Sequence, residues 1–392
     1  MIRSLYVTEY WPWPSTSGGR LRAAATVEAL AALGPVDVVH LERGWTTPVP
    51  NQSSPLVAAS ATFGDAPPAP ARPEEADYPP QPARNCRIYG ERLRRWVREH
   101  EYDVLWCNRL NTWAPLRAAA DVPIVVDIDD LQDRLAAQRR AHTGDDAEAA
   151  RATQWARLQA TAIREVDWLV VCSELDRDRL GRPANSSVVP NVYLGETNVG
   201  PLVSDDPSPR ILLPGLFVWQ PNIDAARRLV REILPLVRRE YPAAQVWLAG
   251  LHTGQLDDLA QDGVRIFGPV PDMRPLVRAA DVVAVPLRLG SGTRLKILES
   301  FALGTPVVST SLGAEGLDAA NGRHLRVADD SADFAGAVLS LLRDPAAARQ
   351  LAANARELVG RRYDRETLVG AARAAVAGAR SRYTRPTDVG SW

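Results

Sequence analysis

Lysine and cysteine are both scarce in this chain of 392 residues, and no apolar run approaches the ~18 residues of a membrane span. The three cysteines, Cys86, Cys107 and Cys172, form no C-x-x-C pair. Two of them lie in or at the end of the strand-like runs DVLWC and WLVVC, which predicts buried, reduced thiols rather than disulfides. The five histidines, His40, His100, His142, His252 and His324, share no metal-ligand spacing, so no metal is expected. A G-x-S-x-G elbow and a Walker loop are both missing. A G-x-G-x-x-G after the first strand is missing as well, which argues against a nicotinamide oxidoreductase. The opening MIRSLYVTEYWPWP meets prolines too early for a signal peptide, and a cytoplasmic protein is expected. Basic and acidic side chains number 46 and 47, leaving a net charge of −1 without the basic excess of a nucleic-acid binder.

What is present is an ordinary globular mixture, 46% hydrophobic and 24% charged, long enough for two domains. Short apolar runs alternate with helix-period segments. Residues 2–8, 36–41, 103–107, 124–128 and 168–172 read as strands, and 21–33 as a helix. The alternation lapses over 190–209, a turn-rich stretch read as a linker. It resumes with strands at 210–213, 245–249, 264–267, 282–285 and 307–309. Helices are expected at 224–239, 273–280, 294–303, 332–342 and 346–359. A final one, near 365–379, is long enough to pack back across the first domain. This is the signature of α/β units with parallel sheets. The proline-rich segment 64–84 fits neither helix nor central strand. It reads as a tolerated surface insertion, or as a loop that orders near an acceptor.

The segment PLRLGSGTRLKILESFALGTPVVST carries the most chemistry. A strand ends, a glycine-rich turn Gly290-Ser291-Gly292 follows, and a helix is expected to open at Thr293. Backbone N–H groups and the dipole at such a helix start favour phosphate, and Arg294 and Lys296 add positive charge. By helical spacing Lys296 and Glu299 share a face, and a glutamate there suits ribose hydroxyls rather than phosphate. The alternative is a solvated Arg/Lys pair on an ordinary helix.

The run GSGTRLKILESFALGTPVVSTSLGAEGL closely resembles the donor-binding signature of retaining glycosyltransferase family four, whose members have the GT-B fold. GLFVWQPNIDAARRLV is similar to the opening of that family's second domain, and SVVPNVY to its interdomain element. The resemblance implies two facing Rossmann-like domains with a cleft between them. An acceptor-binding domain would span 1–200 and a nucleotide-sugar donor domain 201–363. A helix and tail at 364–392 would return to the first domain. It implies metal-independent, retaining transfer from an NDP-sugar co-substrate, with no further cofactor. UDP-sugar is favoured, and the acceptor is a hydroxyl or amine of a bacterial glycan or specialised metabolite. Glu299 would meet the ribose; Ser291, Gly292, Thr293, Arg294, Leu295 and Lys296 the diphosphate; Gly250 and Val270 the base. Gly18, Gly19 and Arg20 would face the donor's phosphate and sugar. Two rivals stand beside this reading. One is an epimerase or pseudo-glycosyltransferase on the same fold; the other is a non-catalytic nucleotide-sugar-binding partner.

Three departures from the family pattern stand out. Ser291 replaces the first of two glutamates eight positions apart, and the loop LFVWQPN lacks the usual cations, which Arg294 and Lys296 would replace. VVDIDDLQDR stands where relatives offer a histidine after the fourth strand. Asp127, Asp129 or Asp130 would then work near the reacting carbon, and Asp129, Asp130, Arg294 and Lys296 are the catalytic candidates. The plain alternative ends a strand at Asp127 and caps a helix with Asp130. Residues 84–98 hold six arginines on an amphipathic helix, read as an ordinary solvated face, with an anionic membrane surface the less favoured partner. Trp11, Trp13, Trp45 and Trp113 fall in loops, where packing or sugar stacking would use them.

Overall fold

The computed structural model describes residues 1–14, 17–42, 54–64, 69, 77–117, 121–203 and 206–384. Trp45 and most of the proline-rich segment lie outside the described residues. The chain forms two compact units, Met1–Asn191 with Arg365–Trp392, and Val192–Asp364.

In the first unit, parallel strands β1 (Ser4–Thr8), β2 (Val36–Leu41), β3 (Ala59–Phe63), β4 (Val104–Asn108), β5 (Ile124–Asp127), β6 (Trp168–Val171) and β7 (Ser186–Val188) pair in the order β3-β2-β1-β4-β5-β6-β7. Every residue of β1, β2 and β4 is buried. That explains their near-continuous hydrophobic runs, since helices cover both faces of a parallel sheet. Leu5, Val7, Val39, Leu105, Val126 and Leu169 meet Tyr89 and Leu93 of helix Pro80–Glu99 in one core. β3 and β7 were not expected from the sequence; β3 is largely exposed and β7 has three residues, so neither carries a strong apolar run. With β3 counted, the aspartate segment follows the fifth strand, not the fourth.

Helix Pro80–Glu99 also corrects the reading of the proline-rich segment, whose last five residues are helical. Its prolines 80 and 82 sit in the first turn, where the missing N–H groups have no intrahelical partner to lose. The exposed stripe of this helix alternates Arg87, Arg95 and Arg98 with Glu91 and Glu99. Arg92 and Arg94 instead donate to the carbonyls of Gly64 and Pro115.

Helix Arg365–Arg382 closes the first unit. It buries Leu368, Ala372, Ala375, Val376 and Ala379 and packs on helix Gly18–Ala31 and the β4–β7 strands. A Cβ at Gly378 would lie 2.7 Å from the Trp168 ring, so the close approach of helix to sheet requires glycine there.

The second unit's parallel strands are β8 (Arg210–Leu216), β9 (Gln245–Leu251), β10 (Val264–Phe267), β11 (Val282–Val285), β12 (Val307–Ser309) and β13 (Arg326–Val327). They pair in the order β10-β9-β8-β11-β12-β13. The helix expected at 224–239 begins four residues earlier, at Gln220, with Pro221 in its first turn. It passes through a π turn at Leu229–Ile233, where the Leu234 N–H reaches back to the Leu229 carbonyl, and ends as Leu234–Arg238. Pro235, next along, has no N–H to continue the α-helical ladder.

Candidate functional site

A doubly wound sheet opens a crevice outside the carboxyl ends of the two strands between which the order reverses, and ligands bind there. In the second unit those strands are β8 and β11. The chain after β8 enters helix Gln220–Arg228, and the chain after β11 runs through Gly290-Ser291-Gly292 into helix Leu295–Leu303. The phosphate-binding candidates therefore lie at the second unit's topological switch point.

The helix there starts at Leu295, two residues later than the sequence suggested. Gly290 and Gly292 have φ of 145° and 71°, and Arg294 is extended, so the backbone stays out of the helical region until 295. Its first bond runs from the Ile297 N–H to the Arg294 carbonyl. No acidic residue stands in the first turn and no side chain caps it, which leaves a start suited to an anion.

Arg294 does not project from the turn. Its guanidinium folds back to donate to the Ser291 and Gly292 carbonyls, bracing the glycine turn. Ser291 and Thr293 are buried. Lys296 spans the switch point by donating from Nζ to Asn222 Oδ1 at 2.9 Å, while Asn222 Nδ2 donates to the Leu216 carbonyl at 2.9 Å; Arg288 spans it too, paired with Asp224 at 2.7 Å. Burial, with Arg294 beside it, lowers the Lys296 pKa to about 7. Glu299, one turn on and half-buried, is raised to about 7 by burial and by Asp272, against the pull of Arg274 and Lys296. Tyr193 belongs to the same nook; burial and Glu299 push its phenol up.

The base-site candidates are placed differently. Gly250 is in β9 with φ 142°, and a Cβ there would lie 1.9 Å from the Gly215 carbonyl oxygen. Its glycine is explained by the approach of β9 to β8. Val270 is half-buried in the loop after β10, beside an exposed Gly268.

In the first unit the order reverses between β1 and β4. Gly18, Gly19 and Arg20 form the first turn of helix Gly18–Ala31, not a free loop. Ser17 at the N-cap makes no side-chain bond, and no acid stands in that turn. Arg20 is half-buried, and burial lowers its pKa. A cation at the positive end of a helix is unfavourable until an anion joins it.

Beside this turn the three aspartates are divided among two arginines that sequence reasoning missed. Asp127, fully buried, receives Arg22 in a two-pronged pair at 2.7 and 3.0 Å. Arg22 also donates to Asn191 Oδ1 at 2.8 Å and to the Val189 carbonyl. Burial raises the Asp127 carboxyl against the pull of Arg22. Asp129 accepts from Arg109 Nε at 3.0 Å, and Cys172 points its thiol at the Asp129 carbonyl. Burial alone would raise Asp129, but Arg109 and Arg22 outweigh it and hold its carboxyl below the usual range. Asp130 accepts from Arg109 at 3.2 Å rather than capping a helix, because the helix begins at Gln132 with Leu131 as its N-cap. Arg109 and Asp129 both have left-handed φ, 74° and 40°. Two non-glycine residues held in that region and paired with each other at a strand end mark a constrained site. Arg109 also donates to the Tyr10 hydroxyl at 3.1 Å and lies over its ring.

Of the tryptophans, Trp11 and Trp113 are buried and serve packing, while Trp13 is half-buried against the edge of Trp11. All three cysteines are buried and outside any disulfide, as the apolar runs around Cys107 and Cys172 predicted for those two. Among the described residues no group of three or more His, Cys, Asp or Glu side chains is placed to hold a metal ion. No described helix is long and apolar enough to cross a membrane.

Residues 208–344 match the family described as glycosyl transferases group 1. A 44.6 kDa protein in the cps region of Klebsiella pneumoniae is 22% identical over 164 residues, 39% of this chain and 42% of that protein. Glycogen synthase of Mycobacterium tuberculosis is 32% identical over 149 residues, 35% of this chain and 36% of the synthase. The match thus spans less than half the length of these curated relatives. Among solved structures, sucrose-phosphate synthase from Thermosynechococcus elongatus superposes with a TM-score of 0.71 at 19% identity, covering 94% of this chain and 96% of that one. Anabaena HepE in complex with UDP-glucose gives 0.68 at 13%, covering 96% and 100%. The chain therefore has the GT-B fold, and residues 208–344 of its second unit match the group 1 glycosyl transferases.

Proposed function

We propose that this protein is a retaining glycosyltransferase that takes a sugar from an NDP-sugar, with UDP-sugar favoured, and passes it to a hydroxyl or amine acceptor. The observation that carries the reading is the second unit's switch point. An uncapped helix start, the Lys296–Asn222 pair and the half-buried Glu299 converge there. HepE, solved with UDP-glucose, supports uridine as the first base to try. Transfer breaks the bond between the anomeric carbon and the diphosphate oxygen and forms one to the acceptor oxygen or nitrogen. The barrier lies in charge separation, as diphosphate departs with negative charge and the sugar ring turns cationic. The helix start and Lys296 stabilise the departing diphosphate without a metal. Glu299, once ionised, accepts from ribose hydroxyls.

In the first unit, Arg109 orients Asp129 as a fixed carboxylate, available to hold the acceptor. Its depressed titration makes it a poor proton donor near neutrality. Because two arginines already neutralise most of the cluster, a neutral hydroxyl acceptor suits it better than a cationic amine. The soluble-enzyme reading, with acceptors from bacterial glycans or specialised metabolites, follows from the same proposal.

Calorimetry with UDP, GDP, dTDP and ADP, on wild type and Glu299→Ala, tests the donor site. One diphosphate should bind tightly and lose at least tenfold in the variant. Equal affinity in the variant, or no binding to wild type, removes the assignment.

A further inference from the structure

Lys296 is the only lysine in the chain; the remaining 45 basic side chains are all arginine. A composition that uses arginine for every other positive charge has kept an ammonium at one position, at the second unit's switch point. The two cations differ in shape and solvation, since a guanidinium is a planar fork of five donors and an ammonium a compact charge with three. The surroundings of Lys296 discriminate between them. On one side Arg294 already occupies the Ser291 and Gly292 carbonyls. On the other is the single amide oxygen of Asn222.

Asn222 is itself fixed. It is 8% exposed and lies in the first turn of a helix with Pro221 before it. Its amide orientation has one solution, because the Leu216 carbonyl only accepts and the Lys296 ammonium only donates. Gly215 leaves room for it: a Cβ there would stand 3.2 Å from the Asn222 amide carbon and nitrogen.

We propose that Asn222 is a positioning residue that holds the ammonium of Lys296 across the β8–β11 crevice for a nucleoside diphosphate, and that its neutrality is the specific requirement. An amide oxygen orients an ammonium with one hydrogen bond and leaves its charge for the anion. A carboxylate in the same place would orient it and cancel that charge. The chain after β8 brings no cation of its own between Leu216 and Asn222, so the asparagine supplies direction where the lysine supplies charge. The proposal rests on the donor-site reading and adds a residue to it.

The single lysine makes the test direct. Protein labelled with lysine carrying 13C at Cε gives one ammonium-reporting resonance, whose titration reads Lys296 alone. Asn222→Asp should move that titration upward by about one pH unit or more, as an opposite charge within hydrogen-bond reach does. It should also weaken UDP binding at least tenfold at pH 7. Asn222→Ser, with a shorter reach, should weaken UDP binding without the upward shift. Lys296→Arg should lose at least tenfold although charge is kept. Melting curves identify a variant that fails to fold, and the other substitutions then carry the test. A lysine titration and UDP affinity that both stay within error in Asn222→Asp overturn the proposal. If the wild type binds no nucleoside diphosphate, the donor-site reading falls separately. The lysine titration then decides whether the asparagine governs the ammonium: a shift sustains that, and no shift overturns it.

Discussion

Burial brings Lys296 and Glu299 both to about 7 without ligand, from opposite directions: it costs the ammonium its proton and gives the carboxylate one. A bound diphosphate favours the charged ammonium and raises the Lys296 pKa. Below about pH 7 the ammonium is charged with or without nucleotide, and this group adds no slope. Between about 7 and the raised value, binding takes up a proton, so affinity falls as pH rises. Calorimetry from pH 7 to 9 should show UDP affinity declining in wild type and a flatter profile in Lys296→Met. Asp129 gives a second prediction at this scale. Asparagine tolerates left-handed φ better than most residues, so Asp129→Asn keeps the backbone and removes the charge facing Arg109. Breaking a largely buried pair on one side should cost about 2–4 kcal/mol by denaturant titration. Turnover should fall far more than donor affinity; unchanged turnover would dismiss Asp129 from the reaction.

At the scale of elements, the long parallel strands and their order of appearance were legible because buried parallel strands are apolar throughout. β3 and β7 were not, being exposed or very short. That the glycine turn, Lys296 and Glu299 lie together at one strand–helix junction could be read from spacing. Arg22, Arg109 and Asn222 could not, because their roles are contacts between segments distant in sequence: Arg22 with Asp127, Arg109 with Asp129, Asn222 with Lys296. One signal for Arg22 was available. It shares a helix face with Thr26, Ala29 and Leu30, all buried, where a solvated arginine does not belong. The fold also inverts a common rule. Replacing a mid-helix glycine by alanine usually stabilises by about 0.5–1 kcal/mol. Gly378→Ala should instead destabilise, because its methyl group enters the Trp168 ring. A melting temperature raised by that substitution would refute the packing account.

For the whole molecule, the two units differ in how the chain composes them. The second is one continuous piece, Val192–Asp364, while the first joins Met1–Asn191 to Arg365–Trp392. Truncation after Asp364 should therefore strip the first unit of the helix that covers Trp168 and helix Gly18–Ala31, lowering its thermal transition. UDP binding by the second unit should persist. Two separated transitions in scanning calorimetry, with only the one unresponsive to UDP shifted, are the expected result.

That arrangement has a consequence during synthesis. A ribosome releases the amino end first, and the usual expectation is that the leading domain folds before the next emerges. Here the leading unit lacks a wall until the last helix leaves the exit tunnel, so the second unit is the first with all its residues available. For that interval the sheet face awaiting the last helix is apolar and uncovered, a natural point for a chaperone to hold.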